Sequence, residues 1–208
     1  MIERAGLRLQ DVVAAAPPAA AAVLREDREP WSTLADGWQR AHAGWSAEPV
    51  PAAIFAAYLG ERLPIEGGAA AIARIAIADL MLACACVHAI PRADALLRER
   101  HLADIRRGLG RQPDARTTEE LTHEVLRHLL VREGERPARI AEYSGRGKLG
   151  RWISVVARRV ALDRLRGAER GVDALDDGGI AAAYGDPELA AMKQGPRDAF
   201  RTALEAAA

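Results

Sequence analysis

The helical pattern from Lys148 to Arg166 constrains this chain more than any other stretch. At about 100° per residue, Leu149, Ile153, Val156, Ala157 and Val160 share one side of that helix, which makes it a core face. Lys148, Arg151, Arg158, Arg159 and Arg166 gather on another side, with Val155 and Leu162 intruding there. Trp152 stands on the seam. A Gly-rich turn, Ser144-Gly145-Arg146-Gly147, precedes the helix, and a short apolar and aromatic segment, Ile140 to Tyr143, precedes the turn. A cationic face beside an aromatic suits a phosphate backbone and its bases. The same pattern also describes an ordinary amphipathic helix with a solvated arginine face.

The charge is unevenly placed. The whole chain of 208 residues has a formal net charge of zero. From Tyr143 to Arg170, however, eight cations face only Asp163 and Glu169, a net +6. Acidic residues collect just beyond, at Asp173, Asp176, Asp177 and Asp186. Segregation of this kind says more about partners than the total does.

Ala supplies much of the apolar content, aromatics are 4% and β-branched runs are scarce, so an all-α fold is expected. The first thirty residues are Ala-rich and broken by Pro17, Pro18 and Pro30. Val12 to Val23 reads either as helix on both sides of the prolines or as partly disordered. A short helix from Ser32 to His42 should pack Trp38 against a neighbour, and Pro49 and Pro51 should introduce a helix over Ala52 to Leu63. Ala69 or Ala70 to His88 reads as one long, buried helix. Asp79 lies inside it and needs a partner, the simplest being an arginine from another helix. Leu96 to Leu109 reads as a further helix.

Thr117 and Glu120 match a capping box that opens the next helix, with Leu121, Val125, Leu126, Leu129 and Leu130 on its core face. Glu120, Glu124 and Arg127 stand opposite, with His123 beside them. After Arg166, Gly167 to Gly179 reads as a flexible Gly- and Asp-rich linker. Asp186-Pro187 then signals the start of a last helix.

Several chemistries find no footing here. The five histidines make no zinc spacing with each other or with cysteine, so no metal is expected. There is no Walker sequence and no nucleophile elbow, and the Gly-rich turn lacks the strand of a dinucleotide fingerprint. No cofactor and no enzymatic activity are expected. Cys84 and Cys86 would point about 200° apart on a helix, so they read as buried free thiols, in keeping with a reduced, cytoplasmic setting. No signal peptide is visible, and no charge-free apolar run reaches the ~18 residues of a membrane span.

Two segments resemble a known family. Glu120-Leu121-Thr122-His123-Glu124-Val125-Leu126 resembles the D-L-V-Q-E-V-F signature of bacterial sigma factors. Trp152 to Arg166, WISVVARRVALDRLR, resembles their W-L-x-x-I-A-x-N-x-x-x-D-x-x-R signature. The order of the two and the turn between them agree with region 2 of the sigma-70 family, in its extracytoplasmic-function-like branch. Ala78 to Cys86 and Ile140 to Gly147 look like a myxobacterial subgroup with an N-terminal extension.

This resemblance implies four segments: a helical N-terminal extension over 1–68, a region 2 helical domain over 69–170, a flexible linker over 171–186 and the start of a truncated region 4 over 187–208. It implies that Glu120, Leu121, His123, Glu124 and Arg127 dock on the clamp coiled coil of core RNA polymerase. It implies that Tyr143, Arg146, Lys148, Arg151, Trp152, Arg158 and Arg159 meet the non-template strand of the promoter −10 element. An anti-sigma factor is a further class of partner. The function implied is transcription initiation. The alternative is a protein-binding helical module, a decoy or a regulator, without DNA recognition. One departure bears on specificity: the family's usual Asn is Arg159 here, which favours phosphate contact over base choice.

Overall fold

The computed structural model describes residues 6–45, 48–132 and 134–173, with side chains up to Arg166. The all-α expectation holds: among the described residues are nine α-helices and one 3-10 turn. Pro17 and Pro18 separate the first two helices without melting them, whereas Pro30 breaks nothing: it is buried in the first turn of the third helix, which starts at Arg28 rather than at the expected Ser32. α1 spans Leu9–Ala15 and α2 spans Pro18–Glu26, with Pro18 in the first turn, where the missing N–H has no helical partner to lose. α3, Arg28–Ala43, opens on Asp27, whose side chain accepts from the Glu29 amide at 2.9 Å. Its Trp38 is buried and stacks on Phe55 of α4, Ala52–Gly60, with ring centroids 4.8 Å apart. α4 crosses α1 closely because Gly60 lies against the Val12 carbonyl and Ala15.

The single helix expected from residue 69 or 70 to 88 is in fact two. α5 is Gly68–Ile72 and α6 is Ile77–Val87. Between them the chain breaks its helix to pair with a distant segment: Ile75 bridges to Arg146, and the Ala76 amide donates to the Gly145 carbonyl at 2.9 Å. No Pro or Gly marks this break, so tertiary pairing overrides the local preference. α6 itself is buried as its composition requires, from Leu80 through Ala85. It carries two free thiols: Cys84 is buried as expected, whereas Cys86, near the end of the helix, is only half-buried, and burial pushes the pKa of both up to about 12.

α7, Ala93–Leu109, starts three residues earlier than expected, after Arg92 at a φ of 68°. α8, Ala115–Leu130, begins before Thr117: its cap is Asp114, which accepts from the Thr117 amide at 2.7 Å. Thr117 is therefore inside the first turn, and Glu120 is released from a capping role. A 3-10 turn over Arg139–Glu142 leads to the Gly-rich segment, and α9 runs Leu149–Asp173. The linker expected from Gly167 thus begins as helix. Residues 174–208, including the expected start of region 4, lie outside the described residues.

One hydrophobic core extends from Val12 in α1 to Ala161 in α9, so the expected boundary at residue 68 has no counterpart in the packing. α7 and α9 meet through small residues. Gly108 abuts the Ser154 backbone and Ala157, and Gly150 abuts the Asp104 carboxylate. Ser154 Oγ lies 2.8 Å from the Asp104 carbonyl. A hydrogen bond from His101, helped by Arg107, holds the Asp104 carboxyl below the usual carboxylate range. No helix among the described residues is long and apolar enough to cross a membrane.

Candidate nucleic-acid interface

The turn before α9 is fixed from several directions. Gly145 and Gly147 have φ of 76° and 82°, values that L side chains avoid. A Cβ on Gly145 would also sit 3.0 Å from Ile75 Cγ2. The Ile75–Arg146 bridge and the Ala76–Gly145 hydrogen bond hold one edge of the turn. The Tyr143 hydroxyl donates to the Gly147 carbonyl and closes the turn on itself. On the helix side, Asp79 Oδ2 accepts from the Leu149 amide at 2.8 Å. Asp79 therefore caps α9 from another helix, and the arginine partner expected for it is replaced by a helix N-terminus, where the macrodipole favours a carboxylate. Asp79→Ala should lower unfolding stability by about 1–2 kcal/mol, while Asp79→Asn, which keeps an acceptor, should cost less. Urea denaturation of the two variants checks this.

The DNA residues implied by the resemblance do not share one environment. Arg146, Lys148, Arg151, Arg158 and Arg159 are all exposed. Arg151 and Arg158, seven apart on α9, lie on one face with Lys148 at its head. Among the described residues, the ion pairs of α9 belong to Arg164 and Arg166, leaving the other cations unpaired. Tyr143 is different: it is 1% exposed, and burial raises its hydroxyl pKa well above the ordinary value. It is a core residue, unavailable for stacking on a base. Its ring lies 5.8 Å from that of Trp152, which is half-buried and is the aromatic that reaches the surface here.

The residues implied for polymerase docking also divide. Leu121 is 3% exposed and packs in the core with Val125 and Leu129. His123 and Arg127 are exposed. Glu120 and Glu124, expected as a solvent-facing pair, are both engaged by Arg164 of α9, at 3.3 and 3.2 Å. Arg116 adds a second contact to Glu120 at 3.1 Å. These bridges lie at the surface, so each contributes little and a charged partner can exchange for Arg164.

Sequence reasoning marked Asp79 as a carboxylate in need of a partner but had no means of finding a partner seventy residues away. It missed Ile75, Ala76 and Asp114 as organisers of the site, because their roles are carried by backbone groups and by a cap whose helix starts earlier than its apolar pattern. Comparisons with family models, with curated proteins and with solved structures give no match, so the family likeness rests on the sequence motifs.

Proposed function

We propose that this chain acts as a sigma-like factor in transcription initiation, using the turn and α9 to hold the non-template strand of a −10 element and α8 to dock on core RNA polymerase. One observation carries the nucleic-acid half of this reading. Arg146, Lys148, Arg151, Arg158 and Arg159 form an exposed cationic track without ion pairs among the described residues, beside the half-buried Trp152 and a turn that is already formed. Extruding a base from a duplex costs a few kcal/mol, and a rigid cationic track with an aromatic neighbour offsets that cost. The role of α8 follows from the resemblance of Glu120 to Leu126 and from the exposure of His123 and Arg127.

Binding of an AT-rich single-stranded DNA, followed by fluorescence anisotropy, should weaken steeply with salt. Five phosphate contacts would give a log–log slope of about −3.5. A flat salt dependence removes the reading. For α8, the chain should co-elute with core RNA polymerase on a sizing column, and Glu124→Lys should not.

A second reading, a protein-binding helical module, draws support from Val155 and Leu165, which are 51% and 49% exposed on α9. Exposed aliphatic residues between arginines suit an acidic, apolar protein surface better than a phosphate backbone. Under that reading polymerase or regulator binding persists, while single-stranded DNA binding is absent at any salt concentration.

A further inference from the structure

We propose that Arg62, from the turn that ends α4, is a positioning residue that sets the base of the Gly-rich turn, which gives the N-terminal helices a part in the candidate site. The proposal deepens the nucleic-acid reading above and rests on it for its functional consequence.

Arg62 reaches across 79 residues of sequence to donate from Nη2 to the Ala141 carbonyl at 3.1 Å. Ala141 lies in the 3-10 turn that leads directly into Tyr143 and the Gly-rich segment. The other arm of the same guanidinium, Nη1, donates to the Tyr58 carbonyl at 3.0 Å. Its Cζ sits 3.4 Å from the centre of the Tyr58 ring. The Arg62 side chain is only 17% exposed, with Glu61 supplying a counter-charge at 3.2 Å. The anchor itself is rigid. Phe55, Tyr58 and Leu59 of α4 are in the core, and Gly60 locks α4 against α1.

A planar fork can span two carbonyls from different segments while stacking on an aromatic ring; a lysine ammonium cannot do all three. Arg62 thus holds the upstream end of the turn, while Ile75, Ala76 and Asp79 hold its middle and downstream end. A turn tied at one end only would still be covalently placed, but its cations would lose their fixed spacing to Trp152.

The test compares wild type with Arg62→Lys, which keeps the charge and loses the fork. Backbone amide exchange is read at Ala76, Tyr143 and Leu149, whose hydrogen bonds define the turn, and at Leu24 and Leu34 as core reporters. The turn amides should exchange about tenfold faster in the variant while the core reporters do not change. Affinity for the AT-rich single strand should fall about tenfold. Uniformly faster exchange at all five amides, or no change at the turn, overturns the proposal, as does unaltered DNA affinity in a variant whose turn has loosened. If the turn loosens selectively while wild type binds no DNA, Arg62 still positions the turn and it is the nucleic-acid reading that fails.

Discussion

If the chain is the proposed sigma-like factor, replacing Arg151 and Arg158 together by glutamate should abolish single-stranded DNA binding while leaving the fold and polymerase binding intact. Both side chains are exposed on one face of α9, and neither has an ion-pair partner among the described residues. Their removal therefore leaves no buried group unsatisfied, and surface substitutions of this kind change stability by no more than about 0.5 kcal/mol. The effect on binding is far larger. Two phosphate contacts are lost and two repulsive charges are placed in the track, so affinity should fall at least about a hundredfold at moderate salt. The log–log salt slope of any residual binding should shrink by about 1.4, some 0.7 for each lost contact. Anisotropy titrations over a range of salt concentrations measure both quantities. A loss of affinity with an unchanged slope would mean that these arginines do not touch phosphates.

Gly108→Val should be the most damaging single change to the fold. Helix propensity alone favours replacing a helical glycine, by about 1 kcal/mol for alanine. Packing opposes it. The nearest atoms to a Cβ at this position include Ser154 Cα and Ala157 Cβ, each at 2.8 Å, and the Ser154 carbonyl lies closer still. These are backbone and first side-chain atoms of α9, so no flexible side chain can swing aside. The helices must separate, taking with them the Ser154 contact to the Asp104 carbonyl. A loss of about 3 kcal/mol or more is expected, against a total stability of about 5–15 kcal/mol for proteins in general. In a chain of this size that lowers Tm by roughly 6–12 °C. Gly44→Ala, where the nearest contacts are 3.8 and 3.9 Å, should be close to neutral and serves as the control. An unchanged Tm for Gly108→Val would show that α7 and α9 do not cross at this point.

Both predictions depend on α9, whose two faces were legible in different degrees. Leu149, Ile153, Val156 and Ala157 are buried where their spacing puts them, and Arg151, Arg158 and Arg159 are exposed. Spacing is enough here because a helix repeats over 3.6 residues whatever it packs against. Tyr143 shows where such reasoning ends. The family resemblance implied that it meets DNA, which needs an aromatic at the surface. Its hydroxyl finds its partner inside the turn, and its ring fills the core. Glu120 and Glu124 are on the outer side of α8 as their spacing requires. Arg164 nevertheless occupies both, because α8 and α9 bring residues forty or more apart in sequence together.

The residues in sequence order were sufficient to establish the helical class, the core faces of α8 and α9 and the burial of the Cys84 thiol. All of these follow from interactions within a few residues along the chain or from composition. Packing decided the break between α5 and α6, the capping of α9 by Asp79, the burial of Tyr143 and the reach of Arg62 to Ala141. Each of these satisfies a backbone donor or acceptor with a group 69 or more residues away, or fills core space that exists only once the helices have assembled. The free energy of such contacts depends on distances set by the whole fold, and a one-dimensional pattern does not contain them.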